Sequence, residues 1–165
     1  EQIGDNGRVA ILKGPEDQRN AIDRHKGFLA GLATRDIQVV HSAAADWEIT
    51  IARELMIEWL ASSPDIEAVI AANDLMALGA VEVLEEAGRK DVIVAGYDGI
   101  EPALQAIAES LQAATIDQAP DIQAQLAVQM LLRHLEYQEI FEPIVLLPPV
   151  EIITQENVRK YLQAN

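Results

Sequence analysis

Residues 64–99 read PDIEAVIAANDLMALGAVEVLEEAGRKDVIVAGYDG, and this stretch indicates the class of fold most clearly. The apolar run Ala68–Ala72 predicts a buried strand, and Asn73-Asp74 directly after it is a favoured helix start. The predicted helix continues to Ala87, and Val92–Ala95 is predicted as the next strand. A helix between two buried strands is typical of a parallel sheet.

The same alternation extends to both sides of this stretch. Further strands are predicted at 8–13, 37–41 and 113–116, further helices at 18–33, 47–61, 102–110 and 120–137, and an extended tail at 144–150 and 152–154. The pattern predicts an α/β fold, a single flavodoxin-like lobe with a parallel five-stranded sheet and helices on both faces. Trp59 and Phe28 have the helical spacing of core residues.

Composition excludes several classes of function. The chain of 165 residues carries 12 Lys and Arg against 27 Asp and Glu, a formal net charge of -15. Such a surface repels phosphate backbones and anionic lipids, so nucleic acid and membrane surfaces are not expected as partners. The chain has no cysteine, which removes thiol catalysis, Cys-based zinc sites and disulfides.

The motifs of common α/β enzymes are missing. The first strand is followed by a single glycine, Gly14, instead of a dinucleotide-binding G-x-G-x-x-G, and no Walker loop or G-x-S-x-G elbow occurs. His25, His41 and His134 lie on separate predicted elements, without the spacing of a metal site. We therefore expect no catalytic residues, no metal and no cofactor.

Residues after each strand come first as candidates, because ligands of open parallel sheets bind at the carboxyl ends of the strands. These segments are polar and aromatic, with amides and carboxylates in place of glycine-rich phosphate loops; they are 14–17, 42–47, 73–74, 97–99 and 117–118.

Together with its flanks, the quoted stretch resembles the periplasmic sugar-binding proteins of ABC transporters, of the ribose-binding type. The matching motifs are Asn73-Asp74, Met76-Ala77, Gly79-Ala80, Ala87-Gly88 and Gly96-Tyr97-Asp98-Gly99, with Arg24-His25-Lys26-Gly27-Phe28, Thr115-Ile116-Asp117-Gln118 and Ile153-Thr154-Gln155-Glu156-Asn157-Val158. The resemblance covers nearly the whole chain and implies a ligand-binding protein that is not an enzyme.

The resemblance assigns ligand-binding roles to six residues, Arg24, Trp47, Asn73, Tyr97, Asp98 and Gln118. Their chemistry fits a small sugar or polyol: planar amide, carboxylate and guanidinium groups pair with neighbouring hydroxyls, and aromatic rings cover the apolar face of a sugar.

Simpler interpretations of the same residues remain open. Asn73 and Asp98 could be no more than helix caps, and Trp47 could be a core residue. Arg24 could form a surface ion pair with an acidic neighbour, Asp23, Glu16 or Asp17.

In family terms the chain is only the carboxy-terminal part of a two-lobed protein. Residues 1–118 match the carboxy-terminal lobe, 119–149 a helix and strand that return to the amino-terminal lobe, and 150–165 a tail that returns to the carboxy-terminal lobe. The resemblance then implies a half-site for a pentose, hexose or related polyol, a missing amino-terminal lobe and an ABC transporter permease as partners. It also implies a periplasmic or extracytoplasmic location, lipid-anchored or secreted, with the leader outside this chain.

Two further alternatives stay open. The chain could be the ligand-sensing lobe of a LacI-type regulator or sugar receptor, although Arg89-Lys90-Asp91-Val92 and Asp98-Gly99 favour the transport branch. The helix at 121–137 has an apolar stripe, Ile122, Leu126 and Met130. We expect this stripe to fold back over the lobe or to pack against a second copy of the chain.

Overall fold

The structure, a computed structural model, describes residues 6–142 and 151–163. The elements in these ranges are β1 (Arg8–Lys13), α1 (Arg19–Leu32), β2 (Gln38–Ala44), α2 (Ile49–Ser62), β3 (Ala68–Ala71), α3 (Asp74–Glu86), β4 (Ile93–Ala95), α4 (Glu101–Ala108), β5 (Ala114–Ile116), α5 (Pro120–Tyr137), β6 (Ile152–Thr154) and α6 (Val158–Leu162).

The strands form one six-stranded sheet in the order β2-β1-β3-β4-β5-β6. The first five are parallel, as predicted, but the sheet has a sixth strand, which runs antiparallel beside β5. The predicted number of strands was therefore too low by one. The reason is that residues 152–154 do not simply extend: they pair with β5 and bury Ile153 completely.

The alternation of side chains along β1 explains why helices cover both faces of the sheet. Val9 and Ile11 point to the face that packs against Phe28 of α1, and Ala10 and Leu12 point to the opposite face. The opposite face holds the larger core, built mainly from residues of α2 and α3. Trp59 is buried in that core, so the prediction for it is confirmed, whereas Phe28 is half-buried and packs at the margin of both cores.

The boundaries of α3 follow from its sequence. Asn73 accepts a hydrogen bond from the Met76 backbone N–H at 3.0 Å and so caps the first turn. Gly79 allows the close approach of α2, because a Cβ there would lie 2.7 Å from the Ile49 carbonyl oxygen. The chain leaves the helix through Gly88, whose φ of 69° lies in the left-handed region that glycine tolerates.

The carboxy-terminal elements differ in how far they are buried. The short helix α6, which sequence patterns did not predict, packs against α4 through Val158 and Leu104. In contrast, α5 has no buried residue, so it does not fold back over the lobe as one of the two expectations proposed.

The predicted strand at 144–150 lies outside the described residues. Among the described helices, none combines the length and apolar character needed to cross a bilayer.

Candidate functional site

The strand order places a natural crevice at the carboxyl edge of the sheet. From β1 the chain proceeds to β2 on one side, whereas β3, β4 and β5 follow on the other, so the connections diverge between β1 and β3. Open α/β sheets bind ligands at such a switch point. Here α1 follows β1, and Asn73 follows β3.

Arg24 on α1 lies at the centre of the crevice. Its guanidinium is 3.8 Å from the centre of the Tyr97 ring and 5.4 Å from that of Trp47. It donates to the Ala72 carbonyl oxygen and forms an ion pair of 3.2 Å with the Asp98 carboxylate. Arg24 therefore pairs with none of its acidic neighbours in sequence, and it connects three of the predicted site residues.

Asp98 and Gln118 meet because the ends of β4 and β5 stay paired beyond the regular strands. The Asp98 backbone N–H donates to the Ile116 carbonyl oxygen at 3.0 Å, and Asp98 and Asp117 form a parallel bridge. The Gln118 amide then donates to the Asp98 carboxylate. Asp98 does not cap α4, whose first turn begins after Ile100 without a side-chain cap.

Asp98 occupies a position that is costly for an aspartate. Its φ of 124° is rare for any residue with a Cβ. Burial raises the pKa of the Asp98 carboxyl above its ordinary value, and the charge of Asp74 adds to this, whereas Arg24 and Gln118 act in the opposite direction. Strain and a perturbed pKa at one residue are typical of functional sites.

Trp47 lies in the turn before α2, two residues ahead of the helix in which the sequence pattern placed it. Asp46 and Trp47 both have positive φ, 51° and 67°, which turns the indole toward β1. The ring lies against Gly14, where a Cβ would come within 2.3 Å of it, and its Nε1 donates to Gln18 at 2.8 Å. The ring is half-buried and touches the edge of the core, so packing and ligand contact are both compatible with its position.

Asn73 is a buried residue whose side-chain oxygen is used by the cap of α3. Its neighbour Ala72 accepts the bond from Arg24, which places Asn73 next to the Arg24 cluster. Within the described part of the chain, its Nδ2 group has no hydrogen-bond partner. Asn73 therefore does cap α3, as the simpler interpretation held. The cap uses only the side-chain oxygen, so the amide nitrogen can still bond another partner.

An open hollow of about 590 Å³ lies beside these side chains. Arg24, Tyr97 and Gln118 line it, together with Asn20 and Phe28. Its size is that of a small-molecule site. Asn20 was not among the predicted residues, although its place one turn before Arg24 on the same helix is a signal that could have identified it.

Two supporting residues were assigned no role in the site by sequence reasoning. Gln18 holds the Trp47 indole, and Asp74 binds the loop that follows Asp98. Asp74 belongs to the Asn73-Asp74 motif, but the sequence does not reveal the bonding role of either residue, because the partner of each lies more than 20 residues away.

The histidines take no part in this cluster. His41 stacks on Trp59 with ring centres 5.2 Å apart and bonds the Ser63 hydroxyl at 2.9 Å, and His134 bonds the Glu139 carbonyl oxygen. No group of three or more His, Asp or Glu suited to a metal ion occurs among the residues that the structure describes.

Comparison with known proteins gives a consistent set of matches. The family described as "Periplasmic binding protein domain" matches residues 1–139. A ribose import binding protein from Salmonella typhimurium is 38% identical over 120 residues, which are 73% of this chain and 40% of that protein. A xylitol-binding protein from Mycolicibacterium smegmatis is 37% identical and is matched over 96% of this chain and 45% of its own length.

A solved structure agrees with the sequence matches. An ABC transporter periplasmic solute binding protein from Actinobacillus succinogenes with bound D-allose superposes with a TM-score of 0.90 at 36% identity, over 96% of this chain and 56% of that one. The chain thus spans about half the length of the proteins it matches. These relatives are named as binding proteins, in agreement with the prediction that the chain is not an enzyme.

Proposed function

Since this chain belongs to the periplasmic binding protein domain family, in its ribose-type sugar-binding group, we propose that it forms one half of a site for a small sugar or polyol. The ligand class is that of the relatives, whose names mention ribose, xylitol and D-allose. The proposed role is to capture such a solute for import by an ABC transporter.

One observation carries the proposal: the predicted side chains gather at a single crevice. Arg24, Trp47, Tyr97, Asp98 and Gln118 come from four separate segments of the chain, since Tyr97 and Asp98 are neighbours, and direct contacts through Arg24 and Asp98 connect them all. A hollow of about 590 Å³ gives a ligand room to reach Arg24, Tyr97 and Gln118, and Trp47 and Asp98 contact Arg24 without lining the hollow themselves.

The chemistry of the crevice suits vicinal hydroxyl groups. Asp98 supplies acceptors, Arg24 supplies donors in a planar fork, and Gln118 supplies both. The rings of Trp47 and Tyr97 offer flat apolar surfaces for the C–H face of a sugar. Arg24 and Gln118 already bond to Asp98, so the charged groups are held in place before a ligand arrives.

We also propose the division of the chain that the family resemblance implies. Residues 1–118 would form the lobe with the half-site, 119–149 would pack against an amino-terminal lobe, and 150–165 would return to this lobe. The exposed apolar residues of α5 support a packing partner for the second segment. An ABC transporter permease and a periplasmic or extracytoplasmic location, by secretion or a lipid anchor, belong to the same proposal.

The test is calorimetric titration of the chain with D-ribose, D-allose and xylitol. Asp98→Ala should weaken binding of the sugar that the wild type accepts by about 1.5–3 kcal/mol, the range for a hydrogen bond to a charged group, and Asn73→Ala, which removes a neutral amide, by about 0.5–1.5 kcal/mol. Asp91→Ala is the matched control, because Asp91 lies before β4, at the opposite edge of the sheet, and pairs with Arg89. Wild-type affinity in both test variants would refute the assignment of the site.

A further inference from the structure

Asp74 is a fully buried carboxylate in the first turn of α3. Its Oδ2 atom accepts hydrogen bonds from the backbone N–H groups of Gly99 at 2.8 Å and Ile100 at 3.1 Å. The Thr115 hydroxyl donates to the same carboxylate, 2.8 Å from Oδ1, and the Gln112 amide donates to Oδ1 at 3.2 Å. The carboxylate therefore joins α3, the loop after β4, and β5.

No cation lies among these partners, so the charge is balanced by hydrogen-bond donors alone. A buried charge of this kind is stable only where several donors surround it. An amide or hydroxyl side chain at this position would not accept from all the groups that converge on the carboxylate.

Gly96 provides a second, independent sign that the fold is built around this group. A Cβ at residue 96 would lie 2.1 Å from Asp74 Oδ1 and 2.9 Å from Gln112 Nε2. Only glycine leaves room for the carboxylate to lie against the end of β4.

The groups that Asp74 anchors directly follow Asp98. With a φ of 124°, Asp98 has a backbone conformation that persists only when its surroundings hold it. On the carboxyl side of Asp98, the backbone N–H groups of Gly99 and Ile100 are bonded to Asp74. On its amino side, the N–H of Asp98 itself donates to the Ile116 carbonyl oxygen at the end of β5.

We propose that Asp74, oriented by the Thr115 hydroxyl, is the positioning residue that fixes Asp98 in its ligand-binding place. The inference rests on the proposed function for what Asp98 does there. Asp74 itself does not reach the ligand, because its side chain is enclosed by α3, β4 and β5.

The test uses a matched pair at Thr115, a fully buried residue. Thr115→Val keeps the shape and removes the donor, whereas Thr115→Ser keeps the donor. We expect Thr115→Val to weaken binding of whichever of D-ribose, D-allose and xylitol the wild type binds by about tenfold or more, as for a bond to a charged group. Thr115→Ser should bind within about threefold of the wild type, since the hydroxyl still reaches the carboxylate.

Amide hydrogen exchange measured by NMR gives a readout that needs no ligand. Thr115→Val should speed exchange at Ile100, whose N–H donates to Asp74, and leave the Ala77 amide, which bonds Asn73 within α3, unchanged. Gly99 does not discriminate, because its N–H also donates directly to the Thr115 hydroxyl oxygen at 3.2 Å. Ile107→Val controls for stability, because it trims a fully buried residue in the α4–β6 core and removes none of the hydrogen bonds to Asp74.

The outcomes separate the positioning role from simple destabilisation. Normal affinity and normal exchange in Thr115→Val overturn the proposal, and so does an equal loss of affinity in Ile107→Val. A wild-type chain that binds none of the sugars removes the proposed function, and exchange at Ile100 then decides the role of Asp74 alone. Asp74→Ala and Gly96→Ala extend the test wherever they fold.

Discussion

At the scale of single residues, the crevice is held together by contacts that are specific to one side-chain type. Arg24 stacks on Tyr97 and pairs with Asp98, a combination that a lysine could not reproduce because it lacks the flat guanidinium. Trp47 is placed by a glycine beneath the ring and an amide at its edge. Small changes at these supporting positions should therefore act on the ligand site without touching a ligand.

Gly14→Ala tests the support of the indole. The new methyl group would overlap the Trp47 ring, so we expect the ring to move and ligand affinity to fall about two- to tenfold, the equivalent of an aromatic contact of about 0.5–1.5 kcal/mol. Tryptophan fluorescence reports the movement, because Trp59 is buried and gives a constant background.

Gly31→Ala is the matched control for this change. Gly31 lies on α1 with open space around it, and alanine there should raise stability by about 1 kcal/mol and leave affinity unchanged. If Gly14→Ala shows the fluorescence and affinity of the wild type, the proposed packing of the ring is wrong.

The raised pKa of Asp98 predicts a conflict between stability and binding. A carboxyl with a raised pKa holds its proton more readily in the folded chain, so its ionisation at neutral pH destabilises the fold, and this penalty disappears as the pH falls through the raised pKa. Asp98→Asn should therefore be more stable than the wild type at pH 7, with the difference shrinking on acidification. It should also bind its ligand about tenfold or more weakly.

Asp91 serves as a control, because its pKa is shifted in the opposite direction from that of Asp98. The hydrogen bond from Arg89 lowers the pKa of Asp91. The ionised Asp91 therefore stabilises the fold at any pH above the ordinary pKa of an aspartate, and this stabilisation is lost as the pH falls through the lowered pKa. Asp91→Asn should reduce stability at pH 7. Unfolding curves across the acid range that show the same sign for both variants would contradict this account.

At the scale of elements, α5 is the one long helix of the described chain without a buried residue. Leu131, Leu132 and Leu135 are at least half exposed, and apolar surface of this extent on one helix is typical of an interface. We proposed that an amino-terminal lobe packs against α5. When that lobe is absent, a second copy of the chain is the alternative packing partner.

Replacing Leu131 and Leu135 together by Glu tests this role of α5. These residues lie one turn apart, and neither is buried. The double variant should lose binding of apolar dyes and any concentration-dependent association seen by light scattering. Its free energy of unfolding should stay within about 0.5 kcal/mol of the wild type.

Leu104→Ala provides the contrast, because Leu104 is buried in α4 and its truncation should cost about 2–5 kcal/mol. A wild-type chain that stays monomeric and binds no dye would exclude association through α5. A double variant that unfolds would show that α5 packs on the lobe after all.

At the scale of the whole molecule, the excess of acidic residues acts on folding. With a net charge of -15, the folded chain concentrates negative charge that the unfolded chain spreads out. The described ion pairs lie mostly at the surface and offset little of this repulsion.

We therefore expect sodium chloride to stabilise the fold. Between about 0.01 M and about 1 M salt the Debye length falls from about 30 Å to about 3 Å, which screens the repulsion between exposed carboxylates. Thermal unfolding should shift upward by a few degrees over this range. A downward shift would mean that attractive ion pairs outweigh the net charge.

Sequence alone determined the parallel α/β sheet, the approximate position of the first five strands and helices, and the edge at which polar residues gather. These features depend on local patterns: apolar runs, helical periodicity and the caps between them. The family resemblance selected Arg24, Trp47, Tyr97, Asp98 and Gln118, and their places beside the end of a predicted strand or on the helix that follows agree with that selection.

Four features could be seen only in the folded chain: the sixth strand, the turn that takes Trp47 out of α2, the pairing of Arg24 with Asp98, and the enclosure of Asp74. Each depends on a contact between distant segments, such as the bond from Thr115 to Asp74 across 41 positions. Side-chain patterns record whether a residue is buried but not which remote donor it will meet, because that choice is made by the packing of the whole sheet.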